Sequence, residues 1–209
     1  MSVRSDFKYD VLQYKQVMIM NYPNRKIKRK RRNKTTANRG MNLESAINDT
    51  NQFYIDNDVA YIYKKPIPIQ VVNVDYKKRS AAKIVEAYYQ VPSTTDYNGI
   101  YKGKYIDFEA KETKNKTSFP LKNIHDHQVE HLVNVKRHGG ISFIIVYFST
   151  LDETFLLLSK HLKRFYDRAK TGRKSITYNE FVSYGYRIEE GYRKRLDFLS
   201  IIDDLLKLE

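Results

Sequence analysis

Asp96, Glu109 and Lys111 are the residues whose types and spacing point most directly to chemistry. Two carboxylates that face one another repel, and a hard divalent cation relieves that cost. Magnesium accepts such a pair while keeping several waters, and it can then hold the phosphate oxygens of a substrate. Lys111 follows Glu109 by two residues, so on an extended strand both side chains point to one face. Its ammonium is suited to neutralising an attacked phosphate or to holding the attacking water against it. We favour positioning and charge stabilisation, because general-base action needs a lowered pKa. Together these are the parts of metal-dependent phosphodiester hydrolysis: a metal to polarise the phosphoryl group, an activated water, and a cation for the developing charge. Glu-x-Lys alone recurs by chance on many solvated strands, so the triplet takes its meaning from its surroundings.

Several residues could support this centre. Glu44, early in the first predicted helix, is a candidate third metal carboxylate, although an acid at that place also simply favours a helix N-terminus. Gln128, near the start of a later helix, can bond an attacking water or a phosphate, or be an ordinary surface glutamine. Thr94 and Thr95 offer hydroxyls beside Asp96, for orienting it or for touching a phosphate. His125 and His127 are two apart and so do not share a helix face; they read as helix-start or DNA-facing residues. Arg39, Lys77, Lys78, Arg79, Lys102, Lys104, Lys114 and Lys116 are the candidate contacts to DNA phosphates, which would place a duplex without reading its bases. Tyr76, Tyr88 and Tyr89 suit stacking on unpaired bases or packing within a hairpin.

The elements that must position these residues follow from the residue pattern. Tyr97-Asn98-Gly99 and Lys102-Gly103 read as turn-forming, so the region looks like a hairpin with Asp96 in its first limb. The second limb carries Tyr105, Asp107, Glu109 and Lys111 on one face and Ile106, Phe108 and Ala110 on the other. The apolar face is expected to enter the core and the other to line a cleft. Upstream, Leu43, Ile47 and Phe53 are spaced for a helix, with Asn42 as its cap. Residues 60–64 and 69–74 read as strands, and 84–89 as another. The basic stretch 75–80 between them is a candidate tip of a projection from the main sheet. Downstream, a helix is predicted from His125 to Lys136 with Val129, Leu132 and Val133 inward. Ile141–Phe148 is a nearly continuous apolar strand of the kind covered on both faces. Thr154–Leu158 reads as its neighbour, Leu162, Phe165 and Tyr166 mark another helix, and residues 201–208 close with helical spacing. The pattern is that of a mixed α/β or α+β domain.

Composition narrows the class of function. Lysine plus arginine number 38 against 24 acids, for a net charge of +14. Such an excess draws a protein to a polyanion; nucleic acid, an anionic membrane surface or a bias toward basic codons would each fit. The segment from Arg25 to Lys34 has eight basic residues and no acid, and reads as a flexible arm, either a solubilising tail or a grip on phosphates. There is no cysteine, which excludes a disulfide scaffold, a thiolate nucleophile and a cysteine zinc site. The run Ile141–Phe148 is far short of a membrane span, and Arg4, Asp6, Lys8 and Asp10 stand where a secretory apolar region would be. A cytoplasmic setting without membrane contact is expected. Nothing resembles a recognition helix or zinc finger, so recognition of DNA structure is more credible than recognition of base sequence.

From about Asn21 to near its C-terminus the chain resembles the RecU family of bacterial Holliday junction resolvases. The likeness is carried by Asn38-Arg39-Gly40-Met41-Asn42-Leu43-Glu44, by Val72 to Tyr89 with Lys78-Arg79-Ser80-Ala81-Ala82, by Ser93 to Gly103 continuing through Glu109 to Asn115, and by His125-Asp126-His127-Gln128. The resemblance implies a restriction-endonuclease-like nuclease core, a central mixed β-sheet flanked by helices, and a projecting β stalk at about residues 67–90. It implies a single nuclease domain over 38–209 behind a basic arm over 1–37. It further implies a homodimer that nicks four-way junction DNA symmetrically with Mg2+, for which Mn2+ substitutes, in recombination and repair, and a contact with the RecA recombinase. By the same resemblance Asp96 and Glu109 bind the metal, Lys111 is the catalytic lysine, Glu44 and Gln128 join the site, and Thr94 or Thr95 assists. Residues 1 to about 17 have no counterpart in the resemblance, and Met18 and Met20 are alternative starts. A non-catalytic nucleic-acid-binding protein or a recombinase adaptor with the same cationic surface is the alternative reading.

Overall fold

The computed structural model describes residues 42–76, 82–90 and 94–207, all within one compact unit, Arg39–Glu209. The expected basic arm, and Arg39, Lys77, Lys78 and Arg79, lie outside the described residues.

The chain begins with helix α1 (Leu43–Asp56), followed by strands β1 (Tyr61–Lys64), β2 (Ile69–Asp75), β3 (Lys83–Tyr89), β4 (Tyr97–Tyr101), β5 (Lys104–Thr113) and β6 (Ser118–Pro120). A short 3-10 turn leads into α2 (Asp126–Arg137), then β7 (Ile141–Phe148), β8 (Glu153–Leu158), α3 (Ser159–Arg168), β9 (Ser175–Thr177), α4 (Tyr178–Tyr184), β10 (Tyr186–Ile188) and α5 (Phe198–Leu206). Six strands form a central sheet in the order β1-β4-β5-β7-β8-β10. Its neighbours run antiparallel except β5 and β7, which are parallel and joined by the crossover through α2. This is the central mixed sheet flanked by helices that the resemblance implies, within the α/β or α+β class that the residue pattern predicts.

β7 shows why the sheet is covered on both sides. Its residues alternate strictly between two hydrophobic clusters: Phe143, Ile145 and Tyr147 face α1 and α5, whereas Ile144, Val146 and Phe148 face α2, α3 and α4. A strand buried on both faces needs apolar residues at every position rather than at every second one. In the first cluster the rings of Tyr97, Phe108 and Phe143 stack in series, with centroids 4.9 and 4.8 Å apart, and Phe198 tilts against them. That contact explains why α5 begins at Phe198, earlier than helical spacing alone suggests: Phe198 is fully buried and fills the space beside the stack.

β5 differs from β7 in one respect that creates the site. Ile106 and Phe108 enter the first cluster, but the opposite face carries Asp107, Glu109 and Lys111; Glu109 and Lys111 stand beside Ile144 and Val146 of β7, and Asp107 beside Ser142. The second hydrophobic layer therefore stops at β7, and α2 covers a polar strip on β5 instead.

Two features of the hairpin are corrected by the structure. Tyr97-Asn98-Gly99 is not a turn; it lies inside β4, paired with both β1 and β5. Gly99 is required there by close approach rather than by chain reversal, since a Cβ would collide with the Tyr61 carbonyl oxygen and stand 2.6 Å from Ile62 Cα. The reversal is made by Lys102-Gly103, whose φ angles of 48° and 75° fit the two-residue turn that matches strand twist. Asp96, moreover, precedes β4 rather than lying within it.

β2 and β3 form a separate two-stranded antiparallel ribbon outside the central sheet. Nearly all of its described residues are exposed, including Ile69, Val71, Val72, Ile84, Val85, Tyr88 and Tyr89.

Candidate active site

Strand pairing brings Asp96 and Glu109 together. Tyr97 opposes Phe108 in the β4–β5 ladder, so the residue before Tyr97 falls opposite the residue after Phe108. The Asp96 main-chain N–H donates to Glu109 Oε2 at 3.1 Å, and the Ala110 N–H approaches Asp96 Oδ2 at 3.4 Å. Lys111 places its Nζ 2.6 Å from Glu109 Oε1. From the covering helix, Gln128 Nε2 donates to the same Oε1 at 2.8 Å. Gln128 is itself fixed, because its Oε1 accepts from the His125 main chain at 3.1 Å across the first turn of α2. These side chains line a cleft of about 690 Å³ together with Lys64, Lys65, Thr94, Thr95, His125 and His127.

The electrostatics of the pair are unusual for carboxylates. Glu109 is fully buried, and burial pushes its carboxyl up to about 7, with the negative charge of Asp96 adding to the rise and Lys111 opposing it. Burial also raises the Tyr97 hydroxyl, with the charges of Glu44, Asp96 and Glu109 contributing. A buried acid whose ionisation is disfavoured by the carboxylate beside it forms, with that neighbour, a donor set for a divalent cation. Magnesium needs only one or two carboxylates besides waters and substrate oxygens. Asp96 and Glu109 fit that requirement; no group of three or more such ligands occurs among the described residues.

The remaining expected site residues are distributed as follows. Glu44 is exposed on the first turn of α1, where Asn42 caps the helix by accepting from Ser45 N–H at 3.0 Å. Its carboxylate pairs with Lys64 at 2.7 Å. It shares an adjoining pocket with Asp96, Ala110 and Glu112 but is not gathered into the Asp96–Glu109 pair. Thr94 lines the cleft. Thr95 does not orient the Asp96 carboxylate as its sequence position suggests: its hydroxyl donates to Asp107 instead. His125 and His127 stack at the cleft with ring centroids 5.4 Å apart. Lys102 pairs with Asp203 at 2.6 Å and lies at the turn end of the hairpin, with Lys104 just beyond it. Lys114 and Lys116 are exposed past the other end of β5.

The residue pattern overlooked Lys64 and Lys65, two cations of the cleft wall placed at the end of β1 and just before Pro66. It also gave no role to Asp107 beyond its shared face with Glu109. The available signals were weak: a buried acid two positions from another on one strand, and a Lys-Lys-Pro step.

Comparison with known proteins gives the following. The family model described as recombination protein U, RecU, matches residues 38–204. The proteins named Holliday junction resolvase RecU from Bacillus mycoides (strain KBAB4) and Bacillus thuringiensis (strain Al Hakam) are each 55% identical over 170 residues, covering 81% of this chain and 85% of their own. The same protein from Bacillus anthracis (strain CDC 684 / NRRL 3495) matches to the same extent. Among solved structures, that of Hjc, a Holliday junction resolvase from Archaeoglobus fulgidus, is 11% identical and covers 65% of this chain and 90% of its own at a TM-score of 0.36, too slight a likeness to define the fold.

Proposed function

The chain belongs to the recombination protein U (RecU) family, and on that premise we propose that it is a Holliday junction resolvase, cutting four-way junction DNA by paired, metal-dependent phosphodiester hydrolysis in recombination and repair. The observation that carries this reading is the meeting of Asp96 and Glu109 across the hairpin, with the Lys111 ammonium on the same strand face and all three lining one cleft.

In this reading Asp96 and Glu109 hold magnesium, or manganese in its place. The metal would supply Lewis-acid polarisation of the scissile phosphate and an acidified water. The protein's own groups do the rest. Gln128 and the Asp96 N–H hold the two oxygens of Glu109, so the carboxylate has a fixed direction. Lys111 offers its charge to the negative charge that develops on the phosphate. Lys64 and the Thr94 hydroxyl line the approach for DNA phosphates, and Lys114 and Lys116 extend it. The exposed β2–β3 ribbon is the proposed stalk that engages the junction centre, and the core is assigned to the restriction-endonuclease-like class. The basic arm over 1–37 adds phosphate contacts, as do Arg39, Lys77, Lys78 and Arg79.

A homodimer suits the reaction, because an isologous pair presents equivalent sites to symmetry-related strands. No described helix is long and apolar enough to cross a membrane, and the proposed substrate places the work in the cytoplasm. A contact with the RecA recombinase belongs to the same proposal.

The test uses a labelled four-way junction and a matching linear duplex, with and without magnesium. The wild type should nick the junction at paired positions only when the metal is present. Asp96→Ala should bind the junction and leave it intact. Full cleavage by Asp96→Ala refutes the site, equal cutting of linear duplex refutes junction selectivity, and saturable binding without any product supports a non-catalytic binding protein.

A further inference from the structure

Both roots of the β2–β3 ribbon are tied to one buried carboxylate, Asp107, which lies two residues before Glu109 on β5. Asp107 is fully buried. Its Oδ2 accepts from Lys65 Nζ at 2.7 Å and from the Tyr105 hydroxyl at 2.8 Å, and lies 3.0 Å from His131 Nε2. Its Oδ1 takes the Thr95 hydroxyl, and Lys65 Nζ also donates to Thr95 Oγ1 at 2.9 Å.

Two of the side chains gathered on Asp107, those of Lys65 and Thr95, come from opposite ends of the ribbon. Lys65 follows β1 and leads through Pro66, Ile67 and Pro68 into β2; Thr95 stands on the return path from β3 to β4. The ribbon closes near its base, where the Gln90 N–H donates to the Pro68 carbonyl at 3.0 Å. The same residues hold Asp96 through its main chain. The Lys65 N–H donates to the Asp96 carbonyl at 2.8 Å, while the Asp96 N–H donates to Glu109. Asp96 is thus clamped on both sides by bonds that originate at Lys65 and Glu109, and its neighbour Thr95 is clamped by Asp107.

A buried ion pair is a poor way to gain stability, because desolvation of both charges offsets their attraction. What it provides is direction: three chain segments are fixed in one register beside the proposed metal site. We propose that Asp107 and Lys65 are positioning residues for cleavage, setting Asp96 against Glu109 and coupling the roots of the ribbon to the cutting centre. The inference rests on the resolvase reading above. A positioning role predicts a loss of rate at preserved affinity, since misplacement of a reacting group by about 1 Å costs on the order of 100-fold.

Lys65→Met, Asp107→Asn and the double variant test it. Lys65→Met leaves the buried Asp107 carboxylate without that cation and Asp107→Asn leaves the part-buried Lys65 without its acid, whereas the double variant removes both charges and is the folded comparator. Three quantities are read: junction affinity in calcium, the single-turnover cleavage rate in saturating magnesium, and hydrogen exchange of the Thr95–Tyr97 segment in metal-free protein. The double variant should bind the junction nearly as the wild type does, cleave it roughly 10- to 100-fold more slowly, and exchange faster at that segment. An active wild type matched in rate by a folded double variant overturns the inference. So does a rate loss accompanied by an equal loss of binding or by unchanged exchange, and so does a double variant that fails to fold, each of which makes the pair structural. A wild type that cuts no junction overturns the resolvase reading itself and takes this inference with it.

Discussion

The main-chain N–H of Asp96 donates to Oε2 of Glu109 at 3.1 Å, so one proposed metal acid is fastened to the other before any ion arrives. The arrangement favours function over stability. Glu109 is fully buried beside a second carboxylate and pushed up to about 7 for that reason. Glu109→Gln should therefore raise the stability of the metal-free protein by about 1–2 kcal/mol at a pH of about 8, because it removes a poorly compensated buried charge. Urea unfolding in a chelator measures this. Magnesium should close the gap, since an ion that binds only the folded wild type stabilises it by mass action. A less stable Glu109→Gln protein in the chelator would show that Lys111 and Gln128 already compensate the charge.

Much of this centre was legible in the residues, and what was hidden depended on tertiary contact. The facing of Asp96 and Glu109, and the shared face of Glu109 and Lys111, follow from strand periodicity and one turn. Ile141–Phe148 announced its double burial by its lack of charge and by the unbroken run Phe143–Phe148. The partner of Thr95 was hidden, because nothing local reveals that its hydroxyl faces Asp107 rather than Asp96. Glu44 stands in a plausible place, but the pairing with Lys64 that occupies it joins two elements with no pattern in common. Asn98-Gly99 carries a strong turn signal, yet the glycine serves the close approach of β1.

That glycine gives a structural prediction. Gly99→Ala would drive a Cβ into the Tyr61 carbonyl and the Ile62 backbone, neither of which is the movable end of a side chain. β1 must separate from β4 or shift along it. The loss should be about 2–4 kcal/mol, the range for overpacking that forces backbone movement. Thermal unfolding reads it directly. A shift within the noise of a surface substitution would mean that β1 yields freely, and that its pairing contributes little to the sheet.

Away from the cleft, Glu180 carries a pH dependence. Arg168 pairs with its carboxylate and holds it down to about 2, helped by the Thr177 N–H at 2.8 Å. A carboxyl lowered by folding contributes stability that is complete above its unfolded pKa and is lost as the pH falls through its folded one. The affected window is thus about pH 5 to about 2. Since Arg168 is about a third exposed, solvent screening reduces the contribution to about 1 kcal/mol. Glu180→Gln keeps a side chain able to complete the α4 capping box, so it isolates the ionic part. Its unfolding free energy should vary less with pH across that window than the wild type's. Parallel curves for the two proteins would deny the pair any ionic role.

Lys111 tests whether the strand-face argument reaches chemistry. Its ammonium lies 2.6 Å from Glu109 Oε1, yet the side chain is a quarter exposed, so it faces the cleft as well as its partner. Lys111→Met preserves the aliphatic stem and removes the charge. Junction affinity should change little, because Lys64 still lines the approach and Lys114 and Lys116 flank it. The single-turnover rate should fall roughly 100- to 1,000-fold, as when one group aimed at developing negative charge is lost. Affinity measured in calcium and rate measured in magnesium separate the two effects. If affinity falls as steeply as rate, Lys111 is a ground-state phosphate contact. If neither falls, the ammonium serves only to neutralise Glu109, and the charge on the cleaving phosphate must be met from another strand.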